Sequence, residues 1–195
     1  MVKRVFLIHG WGGSPDTDWH QWLKRELEKK YFEVEIPVMP DSLNPTISTW
    51  VSKLKEVVGK CDKDTYFVGH SIGCQAIMRY VEKLNKDELV GGIIFVAGWF
   101  NLTDEAWDET YTKKIAAPWL NTNIDFNKIK EHTNKIVDFY SEDDLYVPVT
   151  DAVLFKERLN AKIVSVGNKK HINEEDGVTE VPFVVDELMR MVRKN

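Results

Sequence analysis

The sequence predicts an α/β fold, a three-layer α/β/α sandwich around a six-stranded parallel sheet. Short apolar, β-branched runs alternate with segments of helical period along the whole chain, the pattern of a parallel sheet covered on both faces. Several of these runs are continuously apolar, as strands buried on both sides are, and each is followed by polar residues or Gly/Pro punctuation.

The expected strands are residues 3–8, 33–36, 65–68, 92–96, 135–140 and 162–166. Between the first two, Trp19, Trp22, Leu23 and Leu27 share a helical face, with Asp18 as the expected N-cap and Gln21 as its capping-box partner. Ile47, Trp50, Val51, Leu54, Val57 and Val58 form a second stripe, and Ile72, Ala76, Ile77, Tyr80, Val81 and Leu84 a third. Val149, Val153 and Leu159 point to a helix before the sixth strand, and Val181, Val184, Val185, Leu188 and Val192 to one that closes the chain. These stripes read as core. Residues 99–134 keep no single long period and are expected to form short helices over the sheet edge, one of them capped by Asp125.

With 195 residues, 43% hydrophobic and 29% charged, the chain suits one domain, residues 1–195, with a sizeable core. A net charge of -5, with no long block of like charge, argues against nucleic acid and anionic membrane as partners. No apolar run is long enough for a signal-peptide core or a membrane span. Two cysteines, Cys61 and Cys74, are too few for a disulfide framework, so a cytoplasmic location is expected. No His pairs with another His, Cys or Glu at ligand spacing, so neither a metal nor a cofactor is expected.

The chemistry concentrates in YFVGHSIGCQAI, residues 66–77. Strand, G-x-S-x-G, helix is the context of a nucleophile elbow, in which a serine sits at a strained corner and flanking positions must be small; here these are Gly69 and Gly73. Ser71 is therefore the candidate nucleophile, and the amide of Ile72, at a helix N-terminus, a candidate oxyanion donor. A serine needs a base, and the base needs a carboxylate. SEDDLYVP after the fifth strand supplies Asp143 or Asp144, and GNKKHIN after the sixth supplies His171. His70 and His9 read as packing and turn residues, and His20 and His132 as helix-face residues. The glycine-rich HGWGGS loop, residues 9–14, offers the second oxyanion donor, the amide of Trp11 with that of Gly12 next. Gly12, Trp99, Phe100 and Trp107 are candidate pocket residues.

IHGWGG, DWHQWLKRELE, MPDSLNPTISTW, GHSIGCQAIMRYVE, GGIIFVAGW and SEDDLYVPV, with the late His171, together resemble the α/β-hydrolase fold, in particular its small branch of retinoblastoma-binding protein 9 and the bacterial YdeN-like proteins. The resemblance runs nearly end to end. It implies a minimal fold without the first two strands or a large lid, and a Ser71, Asp144, His171 triad. The family's spacing of the acid to a following aliphatic residue and Pro selects Asp144, with Val147 and Pro148, and leaves Asp143 to cap the turn or hydrogen-bond nearby backbone. It also implies hydrolysis of a small ester-like substrate, with a protein partner suggested by the family name alone. One departure stands out: the family usually places glycine before the catalytic His, whereas Lys169 and Lys170 stand here, so the loop is expected to take a different path. The two lysines read as solvated.

Overall fold

The computed structural model describes residues 2–107 and 110–193. Its strands are β1 (Lys3–Ile8), β2 (Phe32–Glu35), β3 (Thr65–His70), β4 (Gly92–Val96), β5 (Ile136–Tyr140) and β6 (Lys162–Ser165). They form one sheet in the order β2-β1-β3-β4-β5-β6, and every neighbouring pair is parallel. The helices are α1 (His20–Glu28), α2 (Ile47–Val58), α3 (Ile72–Val81), α4 (Thr110–Asn121), α5 (Phe126–His132), α6 (Asp151–Leu159) and α7 (Pro182–Arg193), with a 3-10 turn at Asp104–Ala106. The strands match the sequence reading to within a residue at most ends; β3 runs two residues further, to His70, so that Ser71 follows the strand directly.

Alternation along the strands divides the core in two. Phe6, Ile8, Phe67, Ile93 and Phe95 point to one face, where Trp50, Leu54, Ile77, Trp119 and Phe155 cover them. Val5, Leu7, Val68, Ile94 and Val96 point to the other, under Trp19, Leu23, Val184 and Leu188 of the α1 and α7 layer. Because β1 lies between β2 and β3, the chain reverses direction across the sheet there. The crevice beyond the carboxyl ends of β1 and β3 is the place where such sheets bind ligands.

Two expectations about helices change. Trp19, not Asp18, precedes α1, and no side chain caps it; Asp18 has a left-handed φ of 57°. The Asp18 carboxylate instead accepts from the Glu174 amide, and the Gln21 amide donates to the Pro15 carbonyl and to Asp16. Val149 and Val153 are more than half exposed, and α6 buries Ala152 and Phe155 in their place, beside the expected Leu159. His20 and His132 do lie on helices, α1 and α5, and both are buried. Asp125 does cap α5, accepting from the Asn127 and Lys128 amides.

One buried group works against the fold. Asp138 of β5 is 1% exposed, and neither carboxylate oxygen has a hydrogen-bond partner. Burial, and then the nearby Asp151 carboxylate, push its pKa well above the usual carboxylate range. The folded state therefore keeps a proton that the unfolded chain releases above about pH 4, and stability falls as pH rises past that point. Asp138→Asn is expected to stabilise the protein at pH 7 by about 1 kcal/mol or more, at about 1.4 kcal/mol per unit of pKa displacement. Urea unfolding at pH 7 and pH 4 checks this: the gain should shrink at pH 4, and equal gains at both would show that ionisation is not the cause.

Candidate functional site

Ser71 sits between the end of β3 and the start of α3 with φ 52° and ψ -121°, a conformation L-residues rarely hold and one that costs on the order of 1–3 kcal/mol. The corner is held by the Ser71 amide donating to the Val96 carbonyl at 3.0 Å, and by its own carbonyl accepting from Cys74 at 3.0 Å. Its neighbours must be glycine for want of room. A Cβ on Gly73 would lie 2.3 Å from the Ile8 carbonyl oxygen, and one on Gly69 would lie 2.8 Å from the Cys74 nitrogen.

The loop after β1 crosses beside this corner. His9 is fully buried; its Nδ1 donates to the Gly10 carbonyl at 2.8 Å while its Nε2 accepts from Met39, so the neutral ring clamps the loop. Gly12 turns with φ 69°, and its amide is committed to the Ser42 carbonyl at 2.8 Å. That bond removes Gly12 as an oxyanion donor. The Trp11 indole donates to the Leu43 carbonyl, which anchors the tip of the loop.

Asp144 and His171 meet at the same edge of the sheet. His171 Nδ1 lies 2.9 Å from Asp144 Oδ2, and Asp144 Oδ1 accepts from the Tyr146 and Val147 amides at 2.8 and 3.1 Å. Both side chains are largely buried. Asp143 does something else: its carboxylate accepts from the Ser141 hydroxyl and the Lys170 amide, which hold its pKa below the ordinary value, the Ser141 bond most. Lys170 itself adopts a left-handed φ of 44°, the conformation a glycine takes without strain. Lys170 thus adopts the glycine-like conformation itself, so the expected reason for a different path falls away; its amide is tied to Asp143 and its ammonium pairs with Asp176 at 3.3 Å.

Ser71, His171, Trp11, Gly12, Ile72 and Trp99 all line one cavity of about 400 Å³. Among the described residues, no group of three or more His, Cys, Asp or Glu side chains is placed to hold a metal ion, and no helix is long and apolar enough to cross a membrane.

The sequence matches the serine hydrolase family over residues 5–190. The chain belongs to that family. It is 30% identical to YdeN of Bacillus subtilis (strain 168) over 188 residues, which cover 96% of this chain and 95% of that one. It is 28% identical to the serine hydrolase RBBP9 of Rattus norvegicus over 178 residues, 90% and 89% of the two chains. The crystal structure of the ydeN gene product from B. subtilis superimposes with a TM-score of 0.89 at 29% identity, covering 98% of this chain and all of that one. The fold is that of the α/β hydrolases.

Two of the expected pocket residues are not in this serine hydrolase's cavity. Phe100 is 8% exposed and packs on Phe155 and Phe126, with the Arg158 guanidinium over its ring at 4.7 Å. Trp107 takes Lys113 against its ring, and Leu102 and Ala106 reach the cavity from that segment instead. The wall also includes Thr17, Asp18, His70, Tyr146, Glu174 and Glu175, none of which sequence reasoning picked as pocket residues. From the sequence His70 reads as a packing residue. It is buried, and its Nε2 lies 3.0 Å from the His171 carbonyl oxygen. The Tyr146 ring stands edge-on to His171 at 5.2 Å. A position beside Asp144 was the one signal that could have flagged Tyr146; for Glu174 and Glu175 none existed beyond nearness to His171.

Proposed function

We propose that this serine hydrolase cleaves small ester-like substrates, carboxylic esters, thioesters or amides, through an acyl-enzyme formed on Ser71. The observation that carries the reading is the Asp144–His171 pair at 2.9 Å, whose imidazole lines the same cavity as the strained Ser71 corner. Asp144 accepts from Nδ1–H, so Nε2 carries the lone pair that takes the Ser71 proton. The Ser71 oxygen attacks the carbonyl carbon, and the oxyanion is held by the amides of Ile72, at the head of α3, and Trp11. His171 returns the proton to the leaving group; water, deprotonated by the same imidazole, then releases the acid and regenerates Ser71. The two cysteines, both free and buried, suit a reducing cytoplasm.

A fluorophosphonate probe tests the reading. Wild type should label and hydrolyse p-nitrophenyl acetate, and Ser71→Ala should lose labelling entirely with kcat down by about 10³-fold or more. Unlabelled wild type would favour the alternative, a binding module on this fold.

The cavity also constrains charge. Asp18, Glu174 and Glu175 line it, and no Lys or Arg among the described residues does. Trp11, Trp99, Leu102 and Ala106 make the wall apolar elsewhere. Neutral or cationic esters are therefore favoured over anionic ones. One unscreened carboxylate contact in water is worth about 1 kcal/mol, so kcat/KM for a succinate half-ester should fall roughly five- to tenfold below that of its neutral methyl ester. The double variant Glu174→Gln, Glu175→Gln should narrow the gap, and an unchanged ratio would show that these carboxylates do not face substrate.

A further inference from the structure

The loop that carries His171 has no regular structure to hold it, and it is left-handed on both sides of the imidazole, at Lys170 with φ 44° and Ile172 with φ 55°. A β-branched residue with positive φ persists only where its surroundings over-determine it. Side chains from outside the loop do so by gripping its main chain: Ser141 and Asp143, after β5, accept from the Lys169 and Lys170 amides at 2.8 Å each, and three more hold it elsewhere along its length. His70 Nε2 lies 3.0 Å from the His171 carbonyl oxygen, Trp19 Nε1 donates to the Ile172 carbonyl at 2.8 Å, and Asp18 Oδ1 accepts from the Glu174 amide at 3.1 Å. All three come from segments that flank the cavity on the sheet side, the end of β3 and the entry to α1.

Among these, His70 is distinguished by its place in the chain, because it adjoins Ser71. A carbonyl can only accept, so Nε2 of His70 carries the proton and Nδ1 the lone pair. Nδ1 has no hydrogen-bond partner and lies 3.6 Å from Asp18 Oδ2. The rings of Trp19, His20 and His171 pack around it at 5.6, 6.3 and 5.2 Å. Burial, and then the neighbouring His171, lower its pKa to about 4, so the ring stays neutral and in one tautomer across the neutral range.

We propose that His70 is a positioning residue: by donating Nε2–H to the His171 carbonyl from the residue next to Ser71, it sets the spacing between base and nucleophile, with Trp19 as an independent second tie. This rests on the assignment of Ser71 and His171 given above. One rigid strand end thereby fixes both reacting groups. A loop shifted by about 1 Å would leave substrate binding intact while slowing proton transfer, by on the order of 10²-fold.

Two substitutions separate positioning from packing. His70→Phe keeps a ring of similar size and removes the donor; His70→Gln keeps an N–H donor without the ring. With p-nitrophenyl acetate, His70→Phe should lower kcat by about 30- to 100-fold with KM within about threefold, and His70→Gln should recover most of the loss. The downfield proton resonance of the His171 Nδ1–H bond to Asp144 should weaken or shift in His70→Phe and return in His70→Gln. If His70→Phe does not fold, His70→Asn, whose amide is one methylene shorter, takes its place. Trp19→Phe should lower kcat in the same direction by less. Wild type that labels with fluorophosphonate, beside a His70→Phe variant with unchanged kcat and an unchanged resonance, overturns the positioning role and leaves the hydrolase reading intact. Equal losses in Phe and Gln variants with the resonance unmoved also overturn it, in favour of packing. Unlabelled wild type overturns the hydrolase reading and this proposal with it.

Discussion

Asp144→Asn is expected to lower kcat by about 10³- to 10⁴-fold while KM stays within a few fold. The reason lies in the two sides of the carboxylate. Oδ1 accepts from the Tyr146 and Val147 amides, so an asparagine at this position must present its carbonyl oxygen there. Its NH2 group then faces His171 Nδ1, where the wild-type carboxylate accepts at 2.9 Å. A donor opposite Nδ1 forces the imidazole proton onto Nε2, and the lone pair that should take the Ser71 proton is gone. Because the Tyr146 and Val147 bonds survive, the turn and the fold should survive too, with the melting temperature within a few degrees. Asp143→Asn is the matched control. Asp143 is exposed and serves the Ser141 hydroxyl and the Lys170 amide, so its loss should cost less than tenfold in kcat. Steady-state kinetics on both variants decide the matter, and a crippled Asp143→Asn beside an active Asp144→Asn would reverse the assignment of the acid.

The adjacent pair Asp143 and Asp144 shows where the sequence is legible and where it is not. Strand, G-x-S-x-G and helix are local, and the period-2 and period-3.6 patterns around Ser71 place it at a strand end without any tertiary information. The order of Ser, Asp and His is a property of topology, so it too can be read along the chain. Choosing between two neighbouring aspartates takes the path of a turn, which residue spacing alone leaves open; the family's spacing to Val147 and Pro148 selected Asp144, and the structure places that residue against His171. Three misses share a cause. Asp18 looks like an N-cap because Asp before an apolar stripe usually is one, yet its carboxylate is taken by Glu174, 156 positions away. Phe100 looks like a pocket aromatic because it follows Trp99, but consecutive residues at the end of β4 diverge: Trp99 reaches the cavity and Phe100 turns toward Phe155. His70 read as packing since nothing local shows that the carbonyl of residue 171 lies 3.0 Å from it. Each error concerns a contact made across the fold.

Gly73→Ala is expected to be the most damaging small substitution in the chain, because the added methyl has nowhere to go. Its Cβ would lie 2.3 Å from the Ile8 carbonyl oxygen and 2.9 Å from that of His9. Those are backbone atoms at the end of β1, a strand hydrogen-bonded on both sides by β2 and β3, so they cannot step aside as a flexible side chain can. The relief must come from α3, which carries Ser71 at its head. Backing α3 off the sheet breaks the contacts of Ile72, Ala76 and Ile77, all fully buried, and widens the corner that holds the serine. Overpacking of a rigid site costs about 3 kcal/mol, which for a chain of this size corresponds to roughly 6–12 °C in melting temperature. Activity should fall further than stability explains, by about 10²-fold in kcat at a temperature where the variant remains folded, since the Ile72 amide and the Ser71 hydroxyl move with the helix. Gly59→Ala is the comparison: with φ 63°, ψ -139° and no atom within 4 Å of the added Cβ, it strains only its own backbone and should cost about 1–3 kcal/mol with kcat unchanged. Differential scanning calorimetry and single-turnover kinetics on the two variants separate crowding from backbone strain. A Gly73→Ala protein that melts and turns over like wild type would mean that the close approach of α3 to β1 is not what positions Ser71.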